Sequence, residues 1–194
     1  MRNCDAGSWF DAAFARERVP TLAEAVALLA ELGLHANVEL KSNRGRETAT
    51  GTIVAALLAQ TRPPRTPRFV ISSFRLRALA AAAARAPEIP RGILFRAIPG
   101  NWRILAERLG CSTVHAGHDL LRPAVVSEVR QAGYPLLAYT VNDPERAQTL
   151  FDWGVTSVFS DTPQRFHEVA TPGSSCEPTT TGPDVAGFPR QGSG

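Results

Sequence analysis

Lysine is almost absent from this chain. Of its 21 basic side chains 20 are arginine, and the one lysine is Lys41. Where arginine serves as the general cation, a retained lysine marks either a site needing a compact point charge on a flexible stem or a chance survivor on a solvated face. Cysteine is scarce and odd in number. Cys4, Cys111 and Cys176 stand far apart, which excludes a disulfide framework and a CxxC zinc pair. No uncharged apolar run approaches the roughly 18 residues of a membrane-spanning helix, and no basic-then-apolar leader pattern opens the chain. These absences predict a cytoplasmic protein without a membrane span. The net charge is only +3 and the arginines are scattered, so no concentrated basic patch points to a nucleic-acid partner. GxGxxG and GxxxxGK[ST] are both missing, which argues against dinucleotide and P-loop nucleotide binding, and no GxSxG nucleophile elbow exists.

What is present describes a globular chain. Its 194 residues are 44% apolar and 20% charged, enough for one domain with a sizeable core. The last 24 residues, 171–194, hold 4 Pro, 5 Gly, 3 Ser and 4 Thr, a composition that predicts a disordered tail behind a folded domain over 1–170. Strand patterns fall at 35–41, 69–74, 92–95, 112–115, 135–141 and 157–160. Helical patterns fall between them at 47–60, 76–86, 102–109, 123–132 and 144–151. Thr21 and Glu24 form a capping box, and Asp143-Pro144 and Thr162-Pro163 each place a capping side chain before a proline at the first helical position. Gly33, Gly110, Gly133 and Gly154 stand where helices should stop. Strand–helix alternation of this kind means parallel strands with crossover helices, in either an open doubly wound sheet or a (β/α) barrel. A closed (β/α)8 barrel takes roughly 250 residues, and six strands leave this chain about two βα units short of one.

In either architecture the site lies at the C-terminal ends of the strands. The strongest signal there is Asn37-Val-Glu-Leu-Lys41. Glu39 and Lys41 are two apart, so on a strand they share one face. A carboxylate at such a place can hold a hard divalent cation, and an ammonium can neutralise a phosphate oxygen. The alternative is a structural ion pair. Ser73, Phe74 and Asn142 end other strands and are candidate ligand contacts, with Phe74 equally fit to fill a core. Asp143 reads as a helix cap and Asp161 as a turn residue. His115 and His118-Asp119 suggest a metal pair or a His-Asp couple, but residues three apart on a strand face opposite ways, and His118 reads better as a loop histidine.

The segments Asp5-Ala-Gly-Ser-Trp-Phe10, Val19-Pro-Thr-Leu-Ala-Glu24, Asn37-Val-Glu-Leu-Lys41, Ile71-Ser-Ser-Phe74, Tyr139-Thr-Val-Asn142 and Ser160-Asp-Thr-Pro163 occur in one order and spacing. Together they resemble the C-terminal two-thirds of the glycerophosphodiester phosphodiesterase family. The resemblance covers about 4–168. It implies an incomplete TIM (β/α)8-type barrel with about six of eight βα units. It also implies hydrolysis of glycerophosphodiesters to glycerol 3-phosphate and an alcohol with Ca²⁺ or Mg²⁺, as part of lipid metabolism. On this resemblance Glu39 is a metal ligand and Lys41 the catalytic lysine that holds the phosphate. Phe74, Tyr139 (where the family usually has tryptophan) and His115 are substrate-binding positions.

The family's His-Arg pair, its Glu-x-Asp metal pair and its following His-Asp pair all precede the Asp5–Phe10 segment and have no counterpart here. His118-Asp119 comes too late in the chain to replace them. The expectation is therefore an N-terminally truncated chain in which Met1 is an internal residue, with weak or absent metal binding. Alone it should be nearly inactive, since each lost general acid or base is worth roughly 10²–10⁴ in rate. Open sheet edges predict self-association. The alternative is a non-catalytic remnant that binds phosphorylated metabolites or completes a partner barrel.

Overall fold

The structure, a computed structural model, describes residues 4–60 and 68–167. The expected tail over 171–194, with Cys176, lies outside the described residues. The elements run α1 (Leu22–Glu31), β1 (Ala36–Glu39), α2 (Glu47–Gln60), β2 (Phe69–Ser73), α3 (Leu76–Arg85), β3 (Arg91–Phe95), α4 (Trp102–Arg108), β4 (Thr113–Gly117), α5 (Pro123–Gln131), β5 (Leu136–Tyr139), α6 (Pro144–Trp153), β6 (Ser157–Val158) and α7 (Gln164–His167). Each strand is followed by a helix, as the sequence predicts. No described helix is long and apolar enough to cross a membrane. The chain forms two compact units that meet in sequence between Gly92 and Ile93, inside β3.

In the first unit α1 starts at the predicted capping box. The Thr21 hydroxyl accepts the Glu24 N–H at 3.2 Å, and the Glu24 carboxylate accepts the Thr21 N–H at 2.7 Å. β1 and β2 pair in parallel, with Ala36 opposite Phe69 and Glu39 opposite Ser72. α3 is alanine-rich because α2 lies hard against it. A Cβ built on Gly51 of α2 would stand 2.2 Å from the Ala78 carbonyl oxygen of α3, so only glycine fits. Ala78, Leu79 and Ala82 are fully buried as a result.

In the second unit β4 pairs in parallel with β5, and β5 with β6. All five residues of β4 are buried, as a parallel strand covered on both faces requires. The core holds Trp102, which donates its Nε1–H to Glu128 at 2.8 Å and meets Tyr134 edge-on at 5.4 Å. Asp143 caps α6 through the Glu145 N–H, followed by Pro144 in the first turn. Gly154 ends α6 at φ 103°, a left-handed conformation that costs glycine nothing. The other predicted stop glycines, Gly33, Gly110 and Gly133, also have positive φ.

Several boundaries differ from the sequence reading by one or two residues, and β4 runs on to Gly117, past 115. β1, β5 and β6 each end two residues before 41, 141 and 160. Ladder bonds nonetheless continue beyond the regular strands, from Leu40 N–H to Ser72 O at 2.7 Å and from Val141 N–H to Phe159 O at 2.8 Å. The apolar pattern thus marks how far the backbone stays paired, and the regular pleat stops sooner. α7 begins at Gln164, after Pro163, and its start is closed by backbone bonds from Arg165 to Thr162 and from Phe166 to Pro163.

Candidate active site

At the end of β1, the Lys41 ammonium lies 3.5 Å from a Glu39 carboxylate oxygen. The alternation of a strand puts both side chains on one face, as their spacing predicts. Their exposures differ: the Glu39 side chain is 27% exposed and that of Lys41 80%. An ammonium so open keeps most of its hydration and can turn its N–H groups to an incoming anion at little cost. Glu39 stands opposite Ser72 in the β1–β2 register, and Phe74, 46% exposed, follows the end of β2.

The paired serines have separate tasks that the sequence did not distinguish. Ser73 Oγ donates to the Leu40 carbonyl at 2.8 Å and accepts the Arg75 N–H at 3.0 Å, so it ties the ends of β1 and β2 together. Ser72 Oγ and Ser42 Oγ are buried and have no hydrogen-bond partner. A buried hydroxyl without a partner is costly, and two of them flank the Glu39–Lys41 segment. The signal was available in Ser42, next to Lys41, and was passed over.

In the second unit His115 is 1% exposed. Its Nε2 lies 2.9 Å from Thr113 Oγ1, its ring tilts against Phe159 at 5.5 Å, and its Nδ1 has no partner. Burial pushes its pKa down to about 4, so the ring is neutral at pH 7. His118 sits in a short 3-10 turn, His118–Leu120, outside the strand, as a loop histidine should. Tyr139 donates its hydroxyl to the Phe95 carbonyl at 2.6 Å, which fixes the plane of its ring. Asn142 is engaged within the protein. Its side-chain oxygen accepts from Ser160 Oγ at 3.0 Å and from the Asp161 N–H at 2.8 Å, and its amide donates to Asp161. Asp161 thus serves a turn, as expected, and Asn142 locks that turn to the end of β5. Arg165 adds a bond to the Asn142 carbonyl at 3.0 Å.

The expected divalent cation finds a poor fit. Glu39 offers a single carboxylate, already beside an ammonium, whereas hard cations take 6–8 oxygen ligands, commonly several of them anionic. Among the described residues no group of three or more His, Cys, Asp or Glu side chains is placed to hold a metal ion.

Parallel strands that alternate with helices, with an exposed lysine and a carboxylate at one strand's C-terminal end, are the pattern of an α/β protein of the (β/α)-barrel class. The chain belongs to the glycerophosphoryl diester phosphodiesterase family, whose sequence model matches residues 1–165. It is 30% identical to a glycerophosphodiester phosphodiesterase of Bacillus subtilis, over 87% of this chain and 62% of that protein. It is 27% identical to one from Caldanaerobacter subterraneus, over 84% of this chain and 67% of the relative. Among solved structures it resembles an Oleispira antarctica phosphodiesterase in complex with the product sn-glycerol-3-phosphate. That match has TM-score 0.82 and 36% identity, covering 88% of this chain and 68% of the other. The fold is thus the expected TIM-barrel type, present as six βα units. The chain spans 62% of the length of the Bacillus relative.

Proposed function

We propose that this chain carries the phosphate-holding part of a glycerophosphodiester phosphodiesterase site, and that the activity it belongs to is hydrolysis of a glycerophosphodiester to glycerol 3-phosphate and an alcohol, in glycerol and lipid metabolism in the cytoplasm. The observation that carries this reading is the open Lys41 ammonium beside Glu39 at the end of β1. The glycerol-3-phosphate complex of the Oleispira protein supports it. In this reaction a water oxygen bonds to phosphorus, the bond from phosphorus to the alcohol oxygen breaks, and the departing alkoxide takes a proton. Lys41 offsets the charge on a non-bridging phosphoryl oxygen. Glu39 orients Lys41 and contributes at most one oxygen toward a cation. Phe74 follows β2 in the same unit as Lys41 and is the candidate wall for the substrate there, while for Tyr139 and His115 of the second unit the substrate-binding roles are those the family resemblance implies.

The polypeptide by itself is nearly inactive in this reading. In the first unit the described histidine is His35, before the start of β1, where its Nδ1 accepts the Arg68 N–H at 3.1 Å. It stands at the wrong end of the strand to protonate a leaving group, and His115 is sealed from solvent. Titration with glycerol 3-phosphate, read by calorimetry, tests the binding half. Saturable binding that weakens at least about tenfold in Lys41→Ala is expected for loss of a charged contact, and equal binding by both proteins would overturn the reading. Hydrolysis of glycerophosphocholine at the rate of the Bacillus relative would overturn the inactivity.

A second reading is a non-catalytic remnant that binds phosphorylated metabolites or completes a partner barrel, with association through open strand edges. The absence of a metal-holding cluster among the described residues favours it. Joining an upstream segment that carries the His-Arg and Glu-x-Asp motifs separates the two. It restores hydrolysis under the first reading and leaves the protein silent under the second.

A further inference from the structure

Ser72 is fully buried, and its hydroxyl has no hydrogen-bond partner. A buried donor left unsatisfied is costly and calls for an explanation. The alternation of β2 separates Ser72 from its neighbour. Ser73 turns to the side where its hydroxyl donates to the Leu40 carbonyl and accepts the Arg75 N–H. Ser72 turns to the other side. It stands opposite Glu39 in the parallel β1–β2 register. Their side chains therefore lie next to each other on one face, across strands about 4.8 Å apart. Lys41, two residues after Glu39, belongs to the same face, and its ammonium meets the Glu39 carboxylate there. The other unpartnered hydroxyl, Ser42, is one residue out of step with that face and lies beyond the paired residues of β1 and β2.

The Glu39 carboxylate is the acceptor beside that hydroxyl. Its separation from the Lys41 ammonium, 3.5 Å, exceeds the roughly 2.7–3.2 Å of a formed hydrogen bond, so charge alone holds the pair. The two ends of the pair fare differently when it opens. The Lys41 side chain is 80% exposed and turns to an anion at little cost. The Glu39 side chain is 27% exposed, so water replaces the lost ammonium only in part. With a phosphate on Lys41, the carboxylate would also face a second anion without a donor of its own. A serine O–H rotates to suit its acceptor, and a glutamate side chain is long enough to span the strand spacing.

We propose that Ser72 is a positioning residue of the Lys41 site: its O–H donates to the Glu39 carboxylate when the Lys41 ammonium leaves Glu39 for a phosphoryl oxygen. Ser72 then holds Glu39 back from the bound anion and offsets the loss of the ion pair. The unpaired hydroxyl of the ligand-free chain is the waiting half of that exchange. The phosphate in this exchange rests on the proposed function. The coupling of Ser72 to Lys41 through Glu39 rests on the register and burial alone.

The test is a double-mutant cycle on the 194-residue chain, with Ser72→Ala and Lys41→Ala made singly and together. Melting temperature is followed without ligand, and glycerol 3-phosphate binding is read by calorimetry. In the parent the hydroxyl is unpaired, so Ser72→Ala should leave the melting temperature unchanged or raise it. The same substitution should weaken glycerol 3-phosphate binding about fivefold, as loss of one hydrogen bond does. Once Lys41 is alanine, Glu39 turns to Ser72 without any ligand. There Ser72→Ala should lower the melting temperature, and this departure from additivity measures the coupling. A purely structural hydroxyl would instead lower the melting temperature equally in both backgrounds, which would overturn the proposal. Additive effects of either sign would overturn it too, as would full glycerol 3-phosphate affinity in Ser72→Ala. The coupling is read without ligand, so a parent chain that binds no glycerol 3-phosphate sinks the proposed function, while binding without coupling sinks the role of Ser72.

Discussion

The two units differ in what holds the polar groups at their strand ends. The first leaves its charge at the surface: Lys41 and Glu39 meet in water, and the buried hydroxyls of Ser42 and Ser72 have no partner. It also leaves large rings outside, with Trp9 82% and Phe10 71% exposed. The second unit ties several polar groups to one another, although the buried His115 Nδ1 and His118 Nδ1 have no partner there. Asn142, Ser160, Asp161 and Arg165 form one network, Tyr139 is tied to a strand carbonyl, and Trp102 is buried with its N–H satisfied. Several hydrogen bonds that share one side chain fix their members even near the surface, while an exposed ion pair is held loosely. The comparison teaches that the Lys41–Glu39 pair is left open at one strand end, while the Asn142 turn at another is held by its own hydrogen bonds.

Substitutions should break or sharpen this contrast. The largest effect is expected for Trp102→Ala, which removes a fully buried indole and strands Glu128. Its cost should be about 3–5 kcal/mol in urea unfolding, against less than about 0.5 kcal/mol for Trp9→Ala on the exposed patch. Similar costs at the two tryptophans would erase the distinction.

Next comes the acid limb of stability. The folded-state pKa of His115 is depressed from 6.5 to about 4 by burial, so below pH 6.5 the unfolded chain takes up a proton that the folded chain refuses. Its contribution is complete above pH 6.5 and falls as the pH drops to about 4, by about 3 kcal/mol. Melting temperature followed from pH 7 to pH 4 should show the fall, and His115→Gln should flatten it.

Gly51→Ala should cost about 1–3 kcal/mol, because its Cβ would press into the Ala78 carbonyl and push α2 from α3. This effect belongs to the first unit, where α2 and α3 are in close contact. Smallest in stability is Lys41→Ala, expected within about 0.5 kcal/mol of the parent because the ion pair is exposed. Its loss of glycerol 3-phosphate binding should be the larger effect. A Lys41 variant that unfolds would show the pair to be structural.

Much of the fold was legible in advance. Thr21 and Glu24 three apart, Asp143 before Pro144, and glycines at the helix ends are local instructions, and each is obeyed where it was read. The proximity of Glu39 and Lys41 was legible for the same reason, since a spacing of two needs only an extended backbone. What escaped was what depends on partners far along the chain. Asn142 looked free to meet a ligand, and only the return of the chain 18 and 19 residues later, at Ser160 and Asp161, engages it. Ser72 and Ser73 are adjacent and chemically identical, and only the position of Leu40, 33 residues before Ser73, assigns the bond to one of them. His115 read as a binding residue, and the packing of Phe159 against it made it a buried neutral ring.

The sequence by itself determined the order of elements, the helix ends, the family and the pairing of one carboxylate with the one lysine, because these follow from neighbours within a few residues and from motif order. The tertiary structure alone decided which polar groups are satisfied and how far a histidine's pKa falls, because desolvation and cross-strand hydrogen bonds are set by residues that meet only once the chain has folded.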